Sequence, residues 1–281
     1  MKVVAYLGVK DDVELLDHTI AHLRLIGVDH IIAIDDFSTD GSAEILAAHR
    51  CDDFTFIQKN PTELDVSVEL VRQTNADWAM FLDADEYWLP KSGSLKDGIE
   101  LQRADILSVS RYNVPLTPSG VLAPHASVPL TPVTYDSIFF FGALDPVLDH
   151  VSSPWISIVP APKVMARPEH LGVITQGFHS AEARGKREPR RAAPSDLVIA
   201  HFPFTTLTRF RRKVDNIRAF LTNYPNYFAP GTARHWRRWV ALADESRLDD
   251  EFTKQILNLE KITEMRSRGV IRPITSTFST P

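Results

Sequence analysis

The sequence predicts an α/β fold, in which a mostly parallel sheet carries helices on both faces and a helical segment follows at the C-terminus. Three observations predict it. Short apolar runs alternate with stretches of helical apolar spacing over residues 2–82. Acidic, turn-rich segments follow two of these runs directly. After residue 201 the apolar spacing is helical.

Four apolar runs predict strands buried on both faces, because such strands need no alternation of apolar and polar residues. They cover residues 2–9, 30–34, 54–58 and 78–82. Helical patterns separate these runs, and Gly27 follows the first pattern at the place where glycine commonly ends a helix. The helices are predicted over residues 13–26, over residues 43–48, and through Leu64, Val68 and Val71.

The pattern changes near residue 113, because the prolines within residues 113–136 exclude a helix there. We predict a long ordered excursion in that stretch, and an exposed, flexible loop at residues 185–191. Strands are predicted at residues 137–141, 155–159 and 197–200. Helices are predicted over residues 207–221, 235–243 and 251–268.

The composition limits the class of protein. The chain is 44% hydrophobic with a formal net charge of −5, so it can bury a large core and gives no support for binding nucleic acid. Cys51 is the one cysteine, which excludes an intrachain disulfide and fits a reducing, cytoplasmic compartment. No apolar run approaches the roughly 20 residues that span a bilayer, so we expect any membrane association to be peripheral.

Acidic residues follow two of the predicted strands, at the edge of a parallel sheet where ligands bind. Asp35-Asp36 follows the second strand, and Asp83-Ala84-Asp85 follows the fourth. Two close carboxylates repel each other without a cation, and carboxylate oxygens are the ligands that hard divalent metals prefer. The pattern therefore favours a metal site, against the plainer interpretation of a solvated turn. Asp40 and Ser42 are equally suited to capping the next helix.

Three motifs resemble a known family. Asp83-Ala84-Asp85-Glu86-Tyr87 resembles the Asp-x-Asp motif of GT-A glycosyltransferases and, in its extended form, a family 2 subgroup with Asp-x-Asp-Glu-Phe/Tyr. Residues 35–42 are similar to the family 2 signature Asp-Asp-x-Ser-x-Asp-Gly-Thr. Lys10-Asp11-Asp12 stands where that subgroup often carries Lys-Asn-Glu, although the two aspartates depart from the pattern. The resemblance covers residues 2–88, and beyond them it rests on His201-Phe202 and the basic helix that follows.

This resemblance implies a Rossmann-like GT-A fold and a metal-dependent glycosyltransferase. The enzyme would move a sugar from a nucleotide-diphosphate donor, predicted to be a UDP-sugar, to a hydroxyl of a glycan or another acceptor, with inversion. Glycan or polysaccharide synthesis is the implied setting. The implied organisation is a nucleotide-sugar-binding half (1–112), an acceptor-side half of the same domain (113–204) and a C-terminal helical segment (205–281).

The resemblance also implies roles for single residues. Asp36 would contact the nucleotide base, with Lys10 and Asp83 in the same donor-binding group. Asp85 would be the main ligand of Mn²⁺ or Mg²⁺, with Asp83 assisting at the metal, the sugar or the ribose. His201 would complete the metal or diphosphate site.

Inversion requires a base that deprotonates the acceptor hydroxyl. The sequence offers Asp12, Asp136, Asp145 and Asp149 without ranking them securely. We name Asp145 and Asp149 because they flank a proline-containing segment downstream of the sheet. The plainer interpretation of each is an exposed loop carboxylate.

Other chemistry-bearing residues receive plainer interpretations. The run from Arg209 to Lys213 is predicted to be the solvated face of a helix, with contact to a diphosphate as the alternative. His179 is predicted to be a packing or loop residue, and Cys51 an unreactive thiol.

Two alternatives to sugar transfer remain open from the sequence. Asp-x-Asp after an apolar strand also serves phosphohydrolases, in which Asp83 would attack phosphorus and Asp85 would handle the proton. Such motifs normally follow the first strand, and Tyr87-Trp88 stand where a small residue is expected. A nucleotide-sugar-binding protein without turnover is the second alternative, because a fold does not guarantee activity.

Overall fold

The computed structural model describes residues 1–59, 64–98, 100–121, 139–141, 154–229 and 233–273. Its strands are β1 (Val3–Val9), β2 (His30–Asp35), β3 (Phe54–Gln58), β4 (Trp78–Asp83), β5 (Glu86–Pro90), β6 (Ile106–Val109), β7 (Arg111–Asn113), β8 (Leu116–Thr117), β9 (Gly120–Val121), β10 (Phe139–Phe141), β11 (Lys163–Ala166), β12 (Leu171–Ile174), β13 (Ala181–Ala183), β14 (Arg191–Ala192), β15 (Leu197–His201) and β16 (Ile271–Pro273). Its helices are α1 (Leu16–Leu25), α2 (Ser42–Ala48), α3 (Leu64–Gln73), α4 (Glu100–Arg103), α5 (Leu207–Asn223), α6 (Arg234–Asp244), α7 (Leu248–Lys254) and α8 (Leu259–Ser267).

A seven-stranded sheet in the order β14-β6-β11-β4-β1-β2-β3 forms the centre of the fold. Strands β3, β2, β1 and β4 run parallel, and β14 pairs parallel with β6. Strand β11 lies antiparallel between β4 and β6. The predicted α/β fold with a mostly parallel sheet is confirmed, and it is the Rossmann-like GT-A arrangement that the resemblance implies.

The side chains of β1 point alternately to the two faces of the sheet, and both faces are covered, which explains why the strand is apolar throughout. Val3, Ala5 and Leu7 face one hydrophobic cluster, which includes Leu16 and Ile20 of α1. Val4 and Tyr6 face a second cluster, which includes Val68 and Val71 of α3. Because successive side chains of a strand point to opposite faces, covering both faces requires apolar residues at every position.

A second sheet of three strands carries the candidate site. Strand β15 lies between β5, to which it is antiparallel, and β7, to which it is parallel. In this register His201 lies opposite Glu86 on one side and opposite Asn113 on the other. Residues opposite one another project from the same face of a sheet, so these three side chains are neighbours.

Helices α5 to α8 pack around a third hydrophobic cluster. Its buried aromatic residues are Phe204, Phe210, Trp239 and Phe252. None of the helices in the described ranges is long and apolar enough to cross a membrane.

Two predicted elements are wrong. The strand predicted at residues 155–159 is a 3-10 turn, Trp155–Ser157, in which the Ser157 hydroxyl donates to the Pro154 carbonyl at 2.6 Å. The single helix predicted over residues 251–268 is divided into α7 and α8. Asn258 begins α8 as its N-cap, because its side chain accepts from the Lys261 N–H at 2.8 Å.

The loop predicted at residues 185–191 is exposed, but ion pairs attach it to the sheet. Arg187 and Arg190 both pair with the buried carboxylate of Asp105, at 2.5 and 3.0 Å. Arg190 and Arg187 hold the pKa of Asp105 well below its usual range. Arg191 then begins β14.

Candidate functional site

The turn between β4 and β5 supplies three carboxylates. Asp83 ends β4, Asp85 lies in the turn, and Glu86 begins β5. Asp85 and Glu86 are buried, whereas the Asp83 side chain is 47% exposed. Buried carboxylates are costly unless cations and hydrogen bonds compensate them, so their partners define the chemistry of the turn.

Glu86 is held by two cations from distant strands. Its side chain pairs with the Arg111 guanidinium and with Lys163 Nζ, the latter at 3.1 Å. Lys163 is fully buried and also reaches Asp83 Oδ2 at 2.7 Å. Burial raises the pKa of Glu86, and Lys163 and Arg111 oppose that shift. Lys163 therefore links two of the three carboxylates and holds the turn in one arrangement.

Asp85 is held by the first turns of α5. Its Oδ2 accepts from Arg209 Nη2 at 3.0 Å and from Lys213 Nζ at 3.2 Å. Burial alone would raise the pKa of Asp85, but the charges of Lys213 and Arg209 outweigh it and hold that pKa well below its usual range. Asp85 is therefore charged at neutral pH, with Oδ2 already bound.

Arg209 connects the Asp85 turn to the loop after β1. Its guanidinium donates to Asp12 Oδ1 from Nε at 2.9 Å and from Nη2 at 2.7 Å, and Nη1 donates to the Phe202 carbonyl at 3.2 Å. Burial raises the pKa of Asp12, and the charge of Arg209 opposes that shift. Because Arg209 binds this carboxylate, Asp12 is poorly suited to act as a free base.

The hydrogen bonds of Asn113 decide the tautomer of His201. Asn113 Nδ2 donates to the carbonyls of Ile156 and Ile158, at 3.0 and 2.9 Å, so Asn113 Oδ1 faces the imidazole. His201 Nδ1 lies 2.7 Å from that oxygen and must donate to it. Burial keeps the pKa of His201 well below 6.5, so the ring is neutral at pH 7 and Nε2 carries a lone pair.

This lone pair faces a carboxylate oxygen. His201 Nε2 lies 3.6 Å from Asp85 Oδ1, the oxygen that Arg209 and Lys213 leave free. Two acceptors that face each other repel unless a proton or a cation lies between them. Asp85, Glu86 and His201 offer ligand atoms within 4.8 Å of one another, and this nitrogen and oxygen set suits Mn²⁺ or Mg²⁺. The residues present therefore fit a divalent metal.

The loops after β1 and β2 form the adjacent edge of the site. Lys10 Nζ donates to the carbonyls of Asp36 and Phe37, at 2.6 and 3.0 Å. Asp11 Oδ1 accepts from the Thr39 N–H at 2.6 Å, which joins the two loops. The Asp36 side chain is half-buried, and burial raises its pKa while Lys10 opposes the shift. Asp36 is thus left at the edge of the site, with Lys10 used to fix the backbone beside it.

Asp40 and Ser42 have a structural role, but it is not the predicted helix capping, because the N-cap of α2 is Gly41 and no side chain caps that end. Asp40 Oδ1 accepts from the Ser42 N–H at 3.0 Å, at the start of α2. Its Oδ2 accepts from the Val13 N–H at 3.0 Å, before α1. This carboxylate therefore holds two loops together.

The structure brings several predicted residues together. Asp85 and His201 meet in the group of side chains that could hold a metal ion, whereas Asp83 pairs with Lys163 and is absent from that group among the described residues. The proposed bases Asp145 and Asp149, and the further candidate Asp136, lie outside the described residues. His179 Nδ1 donates to the Pro162 carbonyl at 2.9 Å, as expected of a packing or loop residue.

The basic run on α5 corrects the sequence prediction. Arg211 pairs with Asp249 at the surface, as a solvated helix face requires. Arg209, Arg212 and Lys213 instead turn towards the strand ends, where Arg212 Nε donates to the Asp11 carbonyl at 3.0 Å. The position of this run directly after His201 was the signal for it. Sequence reasoning missed Arg111, Asn113 and Lys163, for which no local motif exists.

Together, the parallel sheet, the carboxylate turn and the histidine define a Rossmann-like α/β protein of GT-A type with a candidate metal site. Residues 9–119 match the model of glycosyl transferase family 2. Over that segment, 111 of its 281 residues, the chain is similar to family 2. No curated protein matches the chain.

Three solved structures are similar to part of this chain. The bifunctional IspDF from Campylobacter jejuni is 11% identical at a TM-score of 0.32, over 61% of this chain and 42% of that chain. CMP:2-keto-3-deoxy-manno-octonic acid synthetase complexed with CTP is 13% identical at a TM-score of 0.28, over 43% of this chain and 63% of that chain. A nucleotidyl transferase from Methanothermobacter thermautotroptrophicus is 15% identical at a TM-score of 0.25, over 42% of this chain and 64% of that chain. This chain spans less than two thirds of each, and similarities of this extent carry no argument about function.

Proposed function

We propose that this protein is a metal-dependent glycosyltransferase. It would transfer a sugar from a nucleotide-diphosphate donor, a UDP-sugar, to a hydroxyl of a glycan or another acceptor, with inversion at the anomeric carbon. The observation that carries the proposal is the 3.6 Å approach of Asp85 Oδ1 to the unprotonated Nε2 of His201. This pair lies at the end of β4, beside the loops in which the family 2 signature falls.

The metal is proposed to be held by Asp85 and His201, with Glu86 beside them. When bound, a divalent ion would stabilise the negative charge that develops on a diphosphate leaving group. Asp83 is proposed to assist at the sugar or the ribose, from its half-exposed position next to Lys163.

Cations of the chain itself would also face the donor. The Lys213 side chain is 33% exposed and lies 3.2 Å from Asp85 Oδ2. An ammonium at the mouth of the site is suited to binding a diphosphate oxygen. Asp36 would accept from an N–H of the base, with Lys10 fixing the loop around it. Asp145 and Asp149 stay our candidates for the base that deprotonates the acceptor hydroxyl.

A thermal-shift screen of nucleotides and nucleotide-sugars, with and without Mn²⁺, tests the donor proposal directly. A ligand that binds the folded chain raises Tm by mass action, so the donor should give the largest shift, and a larger one with Mn²⁺. Transfer from that donor should then depend on Mn²⁺ and be abolished in Asp85→Ala. Asp249→Ala, which removes an exposed carboxylate that pairs with Arg211, is the matched control and should retain transfer.

Three outcomes would contradict the proposal. Full transfer by Asp85→Ala with the metal chelated would exclude the metal role of Asp85. Binding of nucleotide-sugars with no transfer or hydrolysis across donors and acceptors would favour the non-catalytic alternative. A covalent aspartyl-phosphate analogue detected at Asp83 would favour the phosphohydrolase.

A cytoplasmic location stays a prediction from the cysteine content.

A further inference from the structure

Phe37, in the loop after β2, combines two unfavourable properties. Its φ is +54°, in the left-handed region that bulky L-residues rarely adopt. Its side chain is also 57% exposed, so the ring gains little from burial in the core. Single exposed apolar residues are common on protein surfaces, but few of them also occupy a strained backbone conformation.

The turn requires the backbone conformation but does not require the phenylalanine. Asp35 accepts from the Ser38 N–H at 3.1 and 3.2 Å, which closes the turn around Phe37. Lys10 Nζ then holds the carbonyls of Asp36 and Phe37. Glycine or asparagine would adopt this left-handed position at lower cost. The aromatic ring therefore has a role outside the stability of the fold.

The surroundings of Phe37 indicate what the ring contacts. It follows the half-buried carboxylate Asp36, at the carboxyl edge of the parallel sheet where ligands bind. An aromatic face supplies stacking, and a neighbouring carboxylate accepts N–H groups. Planar heterocycles that carry N–H groups match this pair, and nucleobases belong to that class. Because Lys10 and Asp35 fix the backbone, the direction in which the Phe37 side chain leaves the loop is set before the ligand arrives.

We propose that Phe37 is the stacking platform for the nucleobase of the nucleotide ligand. This inference rests on the proposed function and adds a residue that determines affinity through the base alone. Stacking on an aromatic ring tolerates any base, so Phe37 supplies affinity while Asp36 discriminates among bases. In this proposal the ring contacts the base only, and the cations of the site bind the diphosphate.

Two probes and two variants test the proposal. Isothermal titration should compare the tightest-binding of UDP, CDP, ADP and GDP with inorganic pyrophosphate, which lacks a base. Phe37→Gly should weaken the binding of the nucleotide by between about 5-fold and 150-fold, the range for the loss of one stacked base. The affinity for pyrophosphate should not change. Phe37→Trp keeps an aromatic face and should retain nucleotide binding. The Tm of Phe37→Gly should equal or exceed that of the wild type, because glycine relieves the left-handed strain.

The outcomes separate this inference from the function on which it rests. Equal nucleotide affinity in Phe37→Gly and the wild type would overturn the stacking role alone. An equal loss for nucleotide and pyrophosphate would also overturn it, because the loop would then act on the phosphates. If the wild-type chain binds none of the four nucleotides, the proposed function fails and this inference fails with it.

Discussion

The site has two regions that hold their polar groups in opposite ways. One, here called the open edge, comprises the loops at residues 10–12 and 36–42. The other, the buried cluster, comprises Asp85, Glu86, Arg111, Lys163, His201 and Arg209. In the open edge, carboxylates accept mainly from backbone N–H groups of neighbouring loops. In the buried cluster, carboxylates are compensated by cations that are themselves buried.

This difference separates binding from stability. Asp36 and Phe37 of the open edge are partly or largely exposed, so removing either side chain should change ligand affinity and leave the fold intact. A charge of the buried cluster has left water, so removing one partner leaves the other uncompensated at a cost of about 3–5 kcal/mol. The following predictions test whether the two regions behave in these two ways, from the largest expected effect to the smallest.

Arg209→Met should cause the largest loss of stability. The substitution leaves the carboxylates of Asp12 and Asp85 without their shared guanidinium, and Arg209 itself is only 3% exposed. The free energy of unfolding should fall by about 3–5 kcal/mol, measured by urea denaturation. Arg211→Met, on the same helix, is the matched control and should give no measurable change, because Arg211 and Asp249 are both more than half exposed. Equal stability of the two variants would show that the buried cluster is not held by charge.

His22→Gln should reduce the decrease in the free energy of unfolding that occurs at acid pH. Burial lowers the pKa of His22 to about 4, with its Nε2 on the Trp88 carbonyl at 2.7 Å. Below pH 6.5 His22 is protonated in the unfolded chain but stays neutral in the folded chain. The free energy of unfolding is therefore highest above pH 6.5 and falls as the pH decreases towards 4. Between pH 6.5 and pH 4 this effect lowers the free energy of unfolding by about 3 kcal/mol.

The measurement for His22 is the free energy of unfolding between pH 4 and pH 7, at intervals across that window. His49→Gln is the control, because it removes a partly exposed imidazole in place of a fully buried one. An acid slope that is the same in His22→Gln and the wild type would mean that burial of this neutral ring does not contribute to acid sensitivity.

Asn113→Leu should weaken Mn²⁺ binding by about 10- to 100-fold, the usual effect of removing a group that orients a metal-binding histidine. The substitution removes the acceptor that fixes His201 with Nε2 unprotonated. Titration with Mn²⁺ measures the change. Asn258→Ala is the control, because it removes another hydrogen-bonded asparagine, at the N-cap of α8, far along the chain from the site. Unchanged Mn²⁺ affinity in Asn113→Leu would contradict the assignment of His201 as a ligand.

Asp36→Ala should give the smallest change in stability and a selective loss of binding. Donor affinity should fall about tenfold, because one hydrogen bond to a charged acceptor is lost. The free energy of unfolding should stay within about 0.5 kcal/mol of the wild type, as for most surface substitutions. Asp40→Ala is the contrasting variant of the open edge, since its carboxylate joins two loops and its loss should lower stability. A large loss of stability in Asp36→Ala would remove the distinction between the two regions.

The open edge was predictable from the sequence because its signals are local. Apolar runs predicted β1 to β4, and acidic residues directly after β2 and β4 predicted which strand ends carry the site. The carboxylates of the buried cluster were equally visible, since Asp85 and Glu86 are adjacent in the sequence. The broken helix at α7 and α8 was missed because apolar spacing alone does not reveal the cap at Asn258.

The cations of the buried cluster were not predictable in the same way. Arg111 lies 25 residues from Glu86, Lys163 lies 80 residues from Asp83, and Arg209 lies 124 residues from Asp85. Their meeting depends on the register of β5, β15 and β7 and on the docking of α5. A pattern read within one segment does not contain that information, because no local spacing relates the partners.

The sequence by itself determined the α/β fold class and the strand ends at which the carboxylates lie. The tertiary structure decided what those carboxylates can do. It placed Arg209 and Lys213 on one oxygen of Asp85, and it set the tautomer of His201 through Asn113. The physical reason is that the charge and the free lone pairs of a group depend on its burial and on partners from distant segments, which only the folded chain brings within hydrogen-bonding distance.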